Sequence, residues 1–142
     1  MSKSYVVGID GSEGSIRTAQ YALAQAQKAG ASLKVIHVLE WSPYSFLTPE
    51  GLEERHKRRS EELERARSAI IGPVIEKLGS GEIEGEVRYG HVAQVISTYC
   101  DEIGAEQAFI GRHGGGGLTS RLFGSVPGSL VQICNVPVTV VP

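Results

Sequence analysis

The sequence predicts an α/β fold, a three-layer, doubly wound parallel sheet of five strands with helices on both faces. Short apolar runs that suit buried strands recur along the 142 residues. Between these runs lie segments whose apolar residues follow helical spacing. Glycines stand where two of the helices should end, at Gly30 and Gly104. The strands and helices therefore alternate along the whole chain, which is typical of parallel sheets joined by crossover helices.

The first strand, helix and second strand are predicted from clear patterns. Residues 4–9 are almost all apolar, as in a strand covered on both faces. Residues 16–29 carry alanines and larger apolar residues at helical spacing, and 33–39 form the next apolar run. Two prolines, Pro43 and Pro49, indicate a loop over residues 41–51.

A long, charged helix is predicted over residues 52–71. Acidic and basic side chains stand four residues apart in it, as in the pair Glu61 and Arg65, which modestly stabilises a solvated helix. Pro73 has no backbone N–H, so we expect the helix to kink or break there, with a last turn running to Leu78.

The second half of the chain continues the alternation of strand and helix. Its apolar runs are separated by turns that contain glycine, and its helical segments have apolar residues on one side. The predicted elements are strand 83–89, helix 92–103, strand 108–110, helix 126–135 and strand 138–141.

A glycine-rich loop joins the fourth strand to the last helix. Gly111 and Gly114 begin it, and Gly124 with Ser125 leads into the helix. Glycine lets the backbone approach a ligand without a Cβ, and the first N–H groups of a helix attract anions. Strand, glycine loop and helix start together predict an anion site, although the glycines alone are also compatible with tight turns.

The spacing G-x2-G-x9-G-[S/T] over Gly111, Gly114 and Gly124-Ser125 is the nucleotide-binding pattern of the universal stress protein family. The chain resembles the ATP-binding branch of that family. Residues 7–12 resemble its first strand and turn, His37-Val38 the end of its second strand, and residues 135–141 its last strand.

The resemblance implies one domain over residues 1–142, of the adenine-nucleotide alpha-hydrolase-like type, with strand order 3-2-1-4-5. Strands one and four then lie side by side, and the turn after Ile9 faces the loop after Ile110 across one crevice. The residues that it places at a nucleotide are Gly8, Ile9, Asp10, Val38, Ile110, Gly111, His113, Gly114, Gly124, Ser125 and Val126.

Several of these residues also have simpler interpretations. Asp10 is expected to contact the ligand, but it could equally close an Asx turn before the first helix. Ser125 is expected to cap the last helix as well as to bind phosphate. His113 is as compatible with a solvated loop as with a phosphate contact. Pro127 stands where many relatives have Ser or Thr, which removes one expected phosphate contact.

Charge and composition limit the function classes. The 14 Lys and Arg against 16 Asp and Glu give a net charge of −2, with no basic surplus for nucleic acid. No apolar run reaches the roughly 18 residues of a membrane span, and no signal peptide precedes the first strand. The two cysteines, Cys100 and Cys134, fall in predicted helices and indicate reduced thiols in a cytoplasmic protein.

The sequence favours nucleotide binding over catalysis. The P-loop lysine, a kinase residue set and a Ser-His-Asp arrangement are all missing from it. We therefore expect ATP, or AMP or ADP, with Mg²⁺ carried by the phosphates and at most slow hydrolysis. The expected partners are a second copy, through strand Val138–Val141, and an unidentified regulatory protein.

Two other functions remain open. The first is a nucleotide-free dimerisation module of the same family, which Pro127 favours and the retained glycine spacing opposes. The second is an enzyme, either a weak ATPase or a protein that phosphorylates itself on Ser125 or Thr119.

Overall fold

A computed structural model describes residues 3–40, 49–79, 81–112 and 126–142, with side chains in the second range described from Lys57 onward. The elements in chain order are β1 Lys3–Ile9, α1 Glu13–Ala29, β2 Ala31–Glu40, α2 Pro49–Ala66, a π-helical turn Arg67–Ile71, α3 Gly72–Leu78, β3 Ile83–Gly90, α4 Val92–Ile103, β4 Gln107–Gly111, α5 Val126–Ile133 and β5 Val138–Val141. No described helix is both long enough and apolar enough to cross a bilayer.

The five strands form one sheet in the order β3-β2-β1-β4-β5, and every pair is parallel. In the central strand, Val7 is in register with Val35 of β2 and with Phe109 of β4. The chain winds outward from β1 to β2 and β3 and then returns to the other side of β1 for β4 and β5. The predicted fold class and strand order are confirmed.

Each face of the sheet has its own apolar core, because successive side chains of a strand point to opposite faces. In β2, Val35 belongs to the core beneath α1 and α3, whereas Ile36 belongs to the core beneath α4 and α5. Since both faces are covered by helices, the central strands β1 and β4 are mostly apolar, as the sequence predicted, whereas β3 alternates apolar and charged residues.

The helical segment around Pro73 differs from its prediction. The helix does not end there; instead the π-helical turn precedes α3, and the N–H of Gly72 bonds to the carbonyl of Arg67. Pro73 lies in the first turn of α3, where a missing N–H costs least. On Gly85 of β3, a Cβ would lie 2.2 Å from Cγ2 of Ile71, so this turn packs into the space that the glycine leaves.

Three predicted boundaries were wrong by a few residues. Pro49 is the first residue of α2, so it belongs to a helix and not to the predicted loop. Residues 41–48 of that loop lie outside the described ranges. The first helix begins at Glu13, before its apolar spacing starts. The last helix ends at Ile133, so Cys134 follows α5 and is not within it.

Candidate binding site at the carboxyl end of the sheet

The crevice between β1 and β4 opens where the winding of the sheet reverses. Gly8 of β1 is in register with Ile110 of β4, and each strand ends at the next residue, Ile9 and Gly111. Parallel sheets bind ligands at this kind of position, beyond the carboxyl ends of the strands. These four predicted site residues are thus neighbours in the structure.

Gly8 lacks a side chain for a packing reason. It is buried, and a Cβ on it would lie 2.8 Å from Cδ1 of Ile96 and 3.0 Å from Cδ1 of Ile110. The space beside its backbone is therefore already filled by two side chains from α4 and β4. Gly8 still lies at the crevice, but core packing alone explains why this residue is glycine, and no ligand is needed to explain it.

Three predicted apolar contacts lie in the core on one face of the sheet. Val38 near the end of β2 and Ile110 at the end of β4 are both buried in the core beneath α4 and α5. Val126, the first residue of α5, packs against the same cluster while remaining partly exposed. The three predicted apolar contacts thus belong to one continuous surface.

Asp10 closes the turn between β1 and α1. Its Oδ1 accepts hydrogen bonds from the backbone N–H of Ser12 at 2.9 Å, from Ser12 Oγ at 2.6 Å and from Ser15 Oγ at 2.5 Å. The bond to an N–H two residues on is an Asx turn. Asp10 is nevertheless exposed at the crevice, so the turn geometry leaves the carboxylate accessible from solvent.

The peptide bond between Ile9 and Asp10 is held from two sides. Its carbonyl accepts a 2.8 Å hydrogen bond from Nδ1 of His37, and its N–H donates a 2.8 Å hydrogen bond to Oγ of Ser15. Both side chains are buried. Sequence reasoning missed both residues, and only the pairing of Ile9 with His37 in adjacent strands could have indicated the first.

The turn that follows β1 is also in contact with the π-helical turn. Gly11 has a φ of 87°, which favours glycine, and Cγ1 of Ile70 lies 3.6 Å from the place that its Cβ would take. Ile70 belongs to the π-helical turn, so that irregular segment contacts the turn that follows β1.

The start of α5 offers fewer donors than a usual helix. Val126 is its first residue, and the buried Pro127 that follows has no N–H. Gly128 is buried as well, so the backbone near this end is closely packed. The other predicted phosphate contacts, His113, Gly114, Gly124 and Ser125, lie outside the described residues.

Among the described residues, no three His, Cys, Asp or Glu side chains come close enough to hold a metal ion. Arg112 follows β4, and its backbone N–H donates to the carbonyl of Val141 at 2.7 Å, which continues the β4–β5 pairing by one residue. The crevice is thus bordered by an acidic turn on one strand and a basic residue after the other.

The sequence model of the universal stress protein family matches residues 1–142. The chain belongs to the universal stress protein family. This confirms the family resemblance that the glycine spacing indicated.

Relatives at moderate identity agree with the assignment. A universal stress protein of Thermus aquaticus is 30% identical over 141 residues, covering 99% of both chains. Universal stress proteins of Mycobacterium tuberculosis and Mycobacterium bovis are 28% identical over 154 residues and match 96% of this chain. That match covers 47% of each mycobacterial protein, so the chain spans about half their length.

Solved universal stress proteins share the fold. UspA from Lactobacillus plantarum matches with a TM-score of 0.81 at 19% identity, covering 99% of this chain and 97% of that one. A universal stress protein in complex with cAMP matches with a TM-score of 0.66 at 22% identity, over 99% and 96% of the two chains. One from Archaeoglobus fulgidus in complex with dAMP matches at 0.59 and 23%, over 100% and 98%.

Proposed function

We propose that this universal stress protein binds an adenine nucleotide in the crevice between β1 and β4 and acts as a nucleotide-responsive, homodimeric regulator, with residues 1–142 forming one domain. The observation that carries the proposal is the register of β1 with β4. It brings the Asp10 turn and the start of the glycine loop to one edge, where the winding of the sheet reverses.

Two structural neighbours support the choice of ligand. One is a complex with cAMP and the other a complex with dAMP, and both ligands carry adenine, a sugar and one phosphate. Those ligands are properties of the neighbours, at 22% and 23% identity. The chemistry that they share makes an adenine nucleotide the class to test first, with AMP as the ribonucleotide that carries one phosphate and ATP beside it.

In the proposed arrangement, the base packs against the apolar wall of Val38 and Ile110, and Asp10 accepts from the sugar hydroxyls. The phosphates are held by backbone N–H groups of residues 111–114 and 124–126. Mg²⁺ is held through the phosphates, because the described residues form no metal cluster. Hydrolysis is at most slow, and phosphate binding at the glycine loop changes a surface that a regulatory protein recognises.

The experiment is a calorimetric titration of the natively purified protein with AMP, ATP and GMP. We expect one adenine nucleotide per chain, GMP binding more weakly, and AMP affinity at least about tenfold lower in Gly124→Asp, because a carboxylate would repel phosphate. Gly115→Asp is the matched control, since it adds the same charge to the same loop outside the glycine spacing. A folded protein that binds neither AMP nor ATP at millimolar concentrations would refute the proposal.

Pro127 favours one alternative function, a dimerisation module that binds no nucleotide. This residue removes both an N–H and the hydroxyl that a Ser or Thr would supply at the first turn of α5. The variant Pro127→Thr separates the two functions. If phosphates bind here, ATP affinity rises several-fold more than that of adenosine; if the site is unused, neither ligand responds.

A further inference from the structure

We propose that His37 is a positioning residue for the nucleotide site, and that it acts together with Ser15 as a clamp on the Ile9–Asp10 peptide. This inference rests on the proposed function, because it concerns how the Asp10 turn is presented to the nucleotide. His37 itself lies behind the turn and is not proposed to touch the ligand.

The clamp is built from two different elements. His37 comes from the end of β2 and Ser15 from the first turn of α1, and each places one polar atom 2.8 Å from the same peptide group. The exposed fractions are 8% for His37 and 6% for Ser15 and Ile9, so water competes little for these bonds. These two bonds therefore hold the plane of the Ile9–Asp10 peptide in one orientation at the end of β1.

The geometry also determines which ring nitrogen of His37 must carry a proton. A carbonyl oxygen can only accept, so the hydrogen bond to Ile9 places the ring proton on Nδ1. In the neutral ring Nε2 is then unprotonated. This tautomer is a property of the free protein that can be measured without any nucleotide.

The same two bonds determine what the turn offers to a ligand. The N–H of Asp10 is already donated to Ser15, and the Ile9 carbonyl already accepts from His37. Ser15 Oγ in turn donates to Asp10 Oδ1, so the clamp orients the carboxylate as well as the peptide. Because these backbone groups are already bonded, recognition of a ligand at this turn depends mainly on the orientation of the Asp10 side chain and less on the Ile9–Asp10 backbone.

The test compares two substitutions at position 37. His37→Phe keeps a planar ring but has no donor, whereas the amide nitrogen of His37→Asn reaches roughly where Nδ1 stands. We expect AMP affinity to fall about tenfold in the Phe variant and to stay within about threefold of wild type in the Asn variant. Backbone amide NMR signals of Asp10 and Gly11 should move only in the Phe variant.

The readouts separate this proposal from the proposed function. If wild type binds neither AMP nor ATP, the proposed function fails, while the ring tautomer and the Asp10 amide signal still test the clamp. A neutral ring with its proton on Nε2 and none on Nδ1, found by nitrogen NMR, overturns the clamp. So does equal AMP affinity in both variants with an equally lowered melting temperature, since that pattern indicates a purely structural histidine.

A second pair of variants keeps the proposal testable if His37→Phe does not fold. Ser15→Ala removes the other half of the clamp, and Ser15→Thr retains the hydroxyl. We expect faster hydrogen exchange of the Asp10 amide and weaker AMP binding in the Ala variant, with the Thr variant close to wild type. Unchanged exchange in Ser15→Ala would overturn the inference.

Discussion

At the scale of single residues, Gly85 is the described glycine at which an added Cβ would make the shortest contact. A Cβ there would lie 2.2 Å from Cγ2 of Ile71 and 3.2 Å from Cδ1 of Ile75. Cγ2 of Ile71 sits on a branched carbon and cannot rotate away independently. We therefore expect Gly85→Ala to lower the free energy of unfolding by about 2 kcal/mol or more, measured by urea denaturation.

A second glycine provides the control. At Gly14, in the first turn of α1, a Cβ would meet only Ser12 Oγ at 3.7 Å and Arg17 Nη2 at 3.9 Å. Gly14→Ala should be neutral or stabilising by up to about 1 kcal/mol, since alanine favours helix. If both variants lose the same stability, the clash with Ile71 is not the cause.

Residue-level prediction from sequence worked where the interaction is local. The Asx turn at Asp10 was foreseen as an alternative because its partners lie two and five residues away. The bond from His37 to Ile9 was not foreseen, because it joins residues 28 apart and depends on which face of β2 the imidazole occupies. Spacing among histidines, which tests for metal ligands, carries no information about such a bond.

At the scale of elements, α4 is held against α5 by a buried face that includes a thiol. Burial, together with the neighbouring Cys134, raises the pKa of Cys100 to about 12. Hydrogen bonds from Asn135 Nδ2 to Asp101 Oδ2 at 3.1 Å and from Ser97 Oγ to the Ile133 carbonyl at 3.4 Å join the same two segments. Ionisation of the Cys100 thiol therefore destabilises the packing of α4 against α5.

This element predicts a loss of stability at high pH. The unfolded thiol ionises near 9 and the folded one near 12, so the stabilisation is complete below pH 9 and is lost as pH rises toward 12. Urea denaturation between pH 9 and pH 12 should show a slope up to about 1.4 kcal/mol per pH unit steeper in wild type than in Cys100→Ala. Equal slopes in the two proteins would show that the thiol ionises normally.

Element boundaries were predictable where a residue type sets them. Gly30 and Gly104 end α1 and α4 in left-handed conformations with φ of 70° and 65°, as their positions in the sequence indicated. The π-helical turn was not predicted, and the contact of its Ile71 with Gly85 joins two elements that lie apart in the sequence. Pro73 indicated where the helix would be irregular, but it did not indicate that the irregularity would be a π-helical turn.

At the scale of the whole molecule, the alternation of strands and helices was enough to predict a parallel, doubly wound sheet, since crossover connections impose it. The strand order came from the family resemblance, and the register of β1 with β4 confirmed it. For the candidate site, the sequence located Asp10, Val38 and Ile110 on one edge, because motif positions at strand ends converge there. The hydrogen bonds that hold the Asp10 turn in place depend on three-dimensional contacts, and no sequence motif predicts those contacts.

The two edges of the sheet differ in character. On β3, charged side chains pair with their neighbours, as in the 2.6 Å bond between Arg88 and Glu102 of α4 and the placement of Arg88 over the ring of Tyr99. On β5, Val138, Thr139 and Val140 are partly exposed. An apolar, uncharged edge is the one suited to pairing with another strand, so β5 is the proposed dimer contact.

The hydrogen-bonding pattern of β5 shows how to test this contact. Carbonyls of Pro137 and Val141 accept from Ala108 at 2.9 Å and from Arg112 at 2.7 Å. Because N–H and C=O groups alternate in direction along a strand, those of Val138 and Val140 point outward from the sheet. Val140→Pro therefore deletes an outward donor while leaving the bonds to β4 in place.

We expect wild type to have the mass of a dimer in light scattering at micromolar concentrations, and Val140→Pro that of a monomer. Val140→Ala is the control, because it loses the same side-chain packing but keeps the N–H and should remain a dimer. A monomeric wild type would refute edge pairing. A Val140→Pro protein that still dimerises would instead place the contact elsewhere on the protein.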